Sequence, residues 1–337
     1  MDLLFWIGAF IASLTVLIKS ADFFTESSEK VGIDLKIPPF IVGIAIVSIG
    51  TSLPELATSV ASALKNETEI VAANAVGSNI ANILLIVGVA SIVAKKMSIK
   101  RSLINLDLPL LACVTTLAIF ILLDGEVVFM EGVILLLTYA IYSFYIISSG
   151  KEREILSHAA HHEDDAHKSH RHRETKLKAF KKFWNYKPKV EIGVILTLII
   201  SAIFICLGAN YTVESIVKIS EILNIGTSLV AMSAVSIGTS LPELVVSVGA
   251  AMKKKYEIAL GNVFGSNIFN TLVVIGVPAL FSDLQVDDVT FSIGIPFLIG
   301  ATILYVFSGI SRKIYNWEGM MYLVIYVLFL IKIFGVA

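Results

Sequence analysis

The chain contains one nine-residue stretch twice: residues 48–56 and residues 236–244 both read Ser-Ile-Gly-Thr-Ser-Leu-Pro-Glu-Leu. Each copy is set in apolar sequence and carries a glutamate, Glu55 or Glu243, where hydrocarbon surroundings make a carboxylate costly. A second pair follows at the same offset of 188 residues. Residues 74–82 read Asn-Ala-Val-Gly-Ser-Asn-Ile-Ala-Asn, and residues 262–270 read Asn-Val-Phe-Gly-Ser-Asn-Ile-Phe-Asn. Between 47–89 and 235–277, more than half of the aligned positions are identical. Such an internal duplication restricts the fold to one built from two similar units.

With 56% hydrophobic residues, 16% charged residues and a mean hydropathy of +0.84, the chain reads as an all-α integral membrane protein. Ten apolar stretches are long enough to cross ~30 Å of hydrocarbon as helices. They lie near 3–19, 38–64, 70–93, 103–123, 127–148, 190–210, 225–252, 257–281, 289–309 and 318–336. The first has no basic residue ahead of it and no small-residue cleavage site, so a retained helix is expected rather than a signal peptide. The two cysteines, Cys113 and Cys206, both sit in apolar spans and imply neither a disulfide framework nor a metal-thiolate site.

With ten spans the connections alternate between two sides, and 23 of the 26 Lys and Arg fall on one of them; Lys65, Lys218 and Lys332 are the exceptions. The positive-inside rule makes that side cytoplasmic and both termini extracellular, as expected of a multi-pass protein of the plasma membrane. Five spans fall in residues 1–149 and five in 190–337, so the second unit enters the membrane upside down. The repeated motifs occupy 43–89 and 231–277. Inverted repeats of this kind are a recurrent plan for secondary transporters, with the substrate bound near the midplane where the repeats meet. Residues 150–189 form a polar, cytoplasmic connection holding all six histidines. Clustered imidazoles can sense metal or pH, but no ordered ligand spacing stands out, and a solvated linker is the simpler reading.

On a helix, Thr51 and Ser52 share a face with Glu55, and Ser48 and Ser59 extend that stripe. Ser236, Thr239, Ser240, Glu243 and Ser247 repeat it. Pro54 and Pro242 have no amide to give the preceding turn, which frees carbonyls beside each glutamate and breaks the helices at a central ion site. In the second motif Gly77 is expected to supply a flexible break, with Ser78 and Asn82 on one face; Gly265, Ser266 and Asn270 match them. Close helix packing is the alternative for the glycines and serines. Every donor in the set is an oxygen, which suits Na+, Ca2+ or Mg2+ better than zinc or copper. No histidine lies in any span, and no nucleophile–base pair suggests an enzyme.

At the paired Gly-Thr-Ser-Leu-Pro-Glu segments (50–55, 238–243) and Gly-Ser-Asn-Ile segments (77–80, 265–268) the chain resembles the cation/Ca2+ exchanger superfamily, in its prokaryotic Na+/Ca2+ exchanger-like branch. The segments are similar to that family's two alpha repeats, and the likeness spans nearly the whole chain except the histidine-rich loop. The resemblance implies an antiporter that exchanges Na+ for Ca2+ by alternating access and extrudes Ca2+. It needs no cofactor, and its partners are the two ions and the bilayer, with no nucleic acid. Glu55 and Glu243 would ligate Ca2+ together with the backbone oxygens of Thr51 and Thr239. The same glutamates would share Na+ with Ser52, Ser78, Ser240 and Ser266, while the first and sixth spans slide across the other eight.

Three positions depart from the pattern. Asn270 stands where the second repeat often carries Asp, Ser48 and Ser236 replace a usual alanine, and Ala73 faces Gly261 across the alignment. With only two acids, H+ coupling is the alternative to Na+ coupling. A cation channel fits an inverted pair less well.

Overall fold

The computed structural model describes residues 3–34, 47–98, 108–160 and 191–336. Helices satisfy backbone polar groups within one segment, as hydrocarbon requires. The described chain is accordingly helical apart from two short strand pairs. The first half contains α1 (Leu3–Asp34), α2 (Val47–Thr51), α3 (Leu53–Leu64), α4 (Glu69–Ile80), a π-helical stretch (Ala81–Ile86) and α5 (Val87–Ala94). Strand β1 (Lys96–Ser98), α6 (Leu108–Leu122), strand β2 (Glu126–Val127) and α7 (Phe129–Ala160) follow. The second half begins with α8 (Ile192–Leu223), α9 (Thr227–Val230), a π stretch (Ala231–Val235), α10 (Ser236–Thr239), α11 (Leu241–Met252) and α12 (Tyr256–Phe269). After a third π stretch (Asn270–Val274) come β3 (Leu284–Gln285), a fourth π stretch (Thr290–Gly294), α13 (Ile295–Ile310), β4 (Lys313–Tyr315) and α14 (Asn316–Val336).

Among the described residues seven helices are long and apolar enough to cross a membrane, and an eighth if 227–239 and 241–252, bent by 42°, form one span. Two of the ten expected spans account for the difference. α6 is apolar but only 15 residues long, and the first part of the span expected at 38–64 lies outside the described residues. Most of the histidine-rich connection also lies outside them. Its first residues differ from the expected loop, because α7 runs on to Ala160. The sequence from Lys151 to Ala160 contains Lys, Glu, Arg, Leu and Ala, good helix formers in water, and no Gly or Pro to stop the helix.

The centre is formed by 69–94 and 258–280, whose most apolar windows are 78% and 89% buried, against 11% for the span at 129–146. Outer helices turn large apolar side chains outward: Ile134, Leu137, Ile141 and Phe144 on α7, and Met321, Val324 and Ile331 on α14. A surface this apolar belongs in lipid. The chain is a multi-pass membrane protein.

α1 and α8 each have 32 residues and outrun the spans expected at 3–19 and 190–210. At 1.5 Å per residue each is about 48 Å long, beyond the ~30 Å of hydrocarbon. They lie against each other so closely that a Cβ on Gly208 would sit 2.9 Å from the Leu17 backbone nitrogen. Leu14, Leu17, Ala21, Ile205 and Ala209 form a small core between them, separate from the main one.

Two ladders tie connections together. β1 pairs antiparallel with β4, Met97 opposite Ile314, and β2 pairs antiparallel with β3, Val127 opposite Leu284. All four of these side chains are fully buried. At the repeat offset β1 corresponds to β3 and β2 to β4, so each ladder is the other with the halves of the chain exchanged.

Gly77 does not break its helix; it lies inside α4, and the irregularity comes later, in the π stretch from Ala81. Its role is close approach, since an added Cβ would lie 2.6 Å from the Met232 carbonyl oxygen and 2.4 Å from Ser236 Oγ. At Gly265 the obstacle is only a side chain, Ser48 Oγ at 2.4 Å and Cβ at 2.9 Å. Overpacking costs about 1–3 kcal/mol, so Gly77→Ala and Gly265→Ala are both expected to lower the melting temperature in detergent. Adding Ser48→Gly should restore Gly265→Ala, whereas Ser236→Gly should leave Gly77→Ala impaired because the Met232 backbone remains. Equal rescue of both would show that the backbone is not the barrier.

Candidate functional site

The helix carrying Glu55 is interrupted at Ser52 (φ −91°, ψ 9°), and the helix carrying Glu243 at Ser240 (φ −82°, ψ 7°). Pro54 and Pro242 fall at the start of α3 and α11 and are buried there. A proline in the first turn of a helix is tolerated, and its missing N–H leaves the carbonyl one turn earlier without a helical partner. The bonds on either side survive: the Ser52 amide donates to Ser48 O at 3.3 Å, and the Ser240 amide to Ser236 O at 3.2 Å. The break is therefore local, at the turn before each glutamate.

Both glutamates are completely buried. The serine at each interruption reaches across to the glutamate of the other half of the chain. Ser52 Oγ donates to Glu243 Oε1 at 2.9 Å, and Ser240 Oγ donates to Glu55 Oε1 at 3.2 Å. Glu243 Oε1 also accepts from Ser266 Oγ at 3.2 Å, while the corresponding Ser78 Oγ has no partner. Thr51 Oγ1 lies 3.3 Å from Ser48 O, 3.4 Å from Asn262 Oδ1 and 3.4 Å from Ser266 Oγ. Thr239 Oγ1 donates to Val235 O at 3.1 Å, inside its own helix.

Ser48 and Ser236 do not hydrogen-bond a carboxylate. Ser236 Oγ donates to Ala231 O at 2.8 Å and Asn74 O at 3.3 Å and packs on Gly77, and Ser48 packs on Gly265. These two hydroxyls replace the usual alanine at a helix crossing rather than beside the acids.

Several buried polar atoms have no protein partner: Glu55 Oε2, Glu243 Oε2, and both side-chain polar atoms of Asn82 and of Asn270. Among the described residues no Lys or Arg pairs with either glutamate, and no three His, Cys, Asp or Glu side chains come together. Two buried carboxylates without a counter-charge carry a desolvation cost that a cation or protons must offset. The donors around them are hydroxyl, amide and carbonyl oxygens, the set that hard cations take.

The residues matched by the family described as sodium/calcium exchanger protein are 5–148 and 193–335, both halves of this chain. The chain belongs to the sodium/calcium exchanger family. Sodium/calcium exchanger MaX1 of Methanosarcina acetivorans is 32% identical to it over 356 residues, covering 95% of this chain and 96% of MaX1. Inner membrane protein YrbG of Escherichia coli K12 is 29% identical over 283 residues, with 84% of this chain and 82% of YrbG covered. A solved structure of the sodium-calcium exchanger NCX_Mj, soaked with 10 mM Na+ and zero Ca2+, aligns with a TM-score of 0.62 at 27% identity. That alignment covers 97% of this chain and 98% of NCX_Mj. As a member of this family of transporters, the protein is a membrane cation exchanger and not an enzyme.

Within this exchanger the structure also brings forward residues that the sequence reading did not place at the site. Asn74 Nδ2 lies 3.3 Å from Glu55 O and 3.2 Å from Ser59 Oγ; Asn262 Nδ2 lies 3.5 Å from Glu243 O and 3.1 Å from Ser247 Oγ. The available signal was their recurrence at the 188-residue offset, as the first residues of the second motif.

Proposed function

We propose that this exchanger is a Na+/Ca2+ antiporter of the plasma membrane that extrudes Ca2+ by alternating access. The observation that carries the reading is a pair of wholly buried carboxylates with no basic partner, each held by a serine of the opposite half. Two glutamates balance one divalent cation. Glu55 and Glu243, with the backbone oxygens of Thr51 and Thr239, are the proposed Ca2+ ligands. Ser52, Ser240, Ser78 and Ser266 complete the Na+ positions, and Asn82 and Asn270 face the same space.

The proposed frame is ten spans in two inverted repeats, 1–149 and 190–337, with both termini outside and the connection at 150–189 in the cytoplasm. The exchanged ladders support inversion. β1 and β4 follow the third and ninth expected spans, while β2 and β3 follow the fourth and precede the ninth, so each ladder joins connections assigned to one side. The halves also hold unequal conformations. Lys65 Nζ donates to Asn210 O at 2.9 Å, tying α3 to α8, whereas the corresponding Lys253 does not bond Asp22, which pairs with Lys19 at 3.6 Å. Exchange of such inequalities between repeats is what alternating access requires, and the separate small core between α1 and α8 supports these two helices moving as a unit.

The test is 45Ca2+ uptake into proteoliposomes loaded with Na+, with K+-loaded and acid-loaded vesicles beside them. Uptake from Na+-loaded vesicles alone is expected. Uptake that follows a pH gradient and ignores Na+ would assign the same glutamates to H+ coupling, and flux without a counter-ion would indicate a channel.

A further inference from the structure

Asn74 and Asn262 make the same pattern of bonds in the two halves, and the pattern has a mechanical meaning. Glu55 and Ser59 are four residues apart on α3, as are Glu243 and Ser247 on α11, so each pair shares one helix face. A primary amide carries two N–H donors in fixed geometry. Asn74 directs them at the Glu55 carbonyl and the Ser59 hydroxyl, and Asn262 at the Glu243 carbonyl and the Ser247 hydroxyl. Two points one turn apart, gripped by one rigid group from the neighbouring helix, fix the rotation of the gripped helix about its axis. That rotation sets where the glutamate side chain points.

The need for such a grip follows from the interruption. At Ser52 and Ser240 the backbone departs from helical geometry, and the proline two residues on removes one helical bond, so the turn before each glutamate holds its orientation less firmly than a continuous helix would. The glutamates are wholly buried, and Asn74 and Asn262 are 0% and 4% exposed, so these bonds lie within the packed interior. Asn262 goes one step further. Its Oδ1 lies 3.4 Å from Thr51 Oγ1, which connects the grip on Glu243 to the interrupted turn of the other half. In the other half Asn74 Oδ1 has no partner, and Thr239 Oγ1 donates to Val235 O within its own helix.

We infer that Asn74 and Asn262 are positioning residues for cation binding, each fixing the direction of one glutamate by a two-point hold on the helix that bears it, and that Asn262 also couples this hold to Thr51. The inference rests on the glutamates being the cation ligands.

The test compares Asn74→Leu and Asn262→Leu, which nearly keep the size and remove both donors without adding charge, with Ser59→Ala and Ser247→Ala, which remove one acceptor. Each variant is measured in proteoliposomes for KM and kcat of Ca2+ exchange, and in detergent for the shift in melting temperature produced by Ca2+. Losing both bonds is expected to raise the Ca2+ KM about tenfold or more, and losing one about threefold. kcat per folded molecule should change far less, and the Ca2+-induced thermal shift should shrink in parallel with affinity. The milder serine variants serve where a leucine variant does not fold. Thr51→Val should raise KM in the native background and add nothing to Asn262→Leu. An unchanged KM, with activity lost only in proportion to misfolded protein, would overturn the inference and leave the asparagines structural. Failure of the native protein itself to exchange or bind Ca2+ would instead overturn the underlying functional reading.

Discussion

Glu55→Gln and Glu243→Gln are each expected to abolish Ca2+ exchange while leaving a folded protein. Glutamine keeps the size of the side chain and a carbonyl oxygen that can still accept from Ser240 or Ser52, which lie 3.2 Å and 2.9 Å from the native carboxylates. What it removes is charge. A bound cation and a buried carboxylate form a buried ion pair, and removing one member of such a pair costs about 3–5 kcal/mol, a loss of at least about a hundredfold in affinity. In cation-free buffer the substitution should not lower the melting temperature, since it removes one of two unbalanced buried charges. Stabilisation by added Ca2+ should vanish. A variant that transports normally would exclude that glutamate as a ligand; one that melts early without cation would mean that the carboxylate holds the fold rather than the ion.

The sequence made the fold class and the two acids plain for one physical reason. A charge in an apolar segment is expensive, and finding the same charge twice in the same nine residues leaves little room for accident. The proline immediately before each glutamate likewise announced an interrupted helix. What periodicity could not show is which side chain meets which. Periodicity put Thr51, Ser52 and Glu55 on one stripe, but it could not show that Ser52 donates to Glu243 of the other half. Gly77 read as a hinge because glycine is permissive. Its reason for being there is the Met232 backbone 2.6 Å from where its Cβ would be, a contact made by residues 155 positions apart. Asn74 and Asn262 repeat as faithfully as the glutamates, but an amide in a membrane helix carries no charge to single it out. Half of the bonds they donate go to backbone carbonyls, of Glu55 and Glu243, which leave no trace in sequence; the other half go to Ser59 and Ser247, whose recurrence alone does not say what they meet.

Asn270→Asp is expected to tighten Ca2+ binding by about tenfold, and the structure explains why so small a change has so large an effect. Neither side-chain polar atom of Asn270 has a protein partner, although the residue is wholly buried. Replacing its amide with a carboxylate therefore gives up no hydrogen bond. It adds a third charge to a site whose two carboxylates already lack a basic counterpart, and at an effective dielectric of about 20 a new contact with a divalent ion is worth several kcal/mol before desolvation is subtracted. A tenfold gain, about 1.4 kcal/mol, is what survives a large opposing cost. The measurement is the Ca2+ KM in Na+-loaded vesicles, together with the Ca2+-induced shift in melting temperature. The extra charge should also slow release, so kcat should fall as KM falls. If neither constant moves, the side chain at 270 faces away from the ion, and its unpartnered amide marks a polar cavity beside the transport site rather than the site itself.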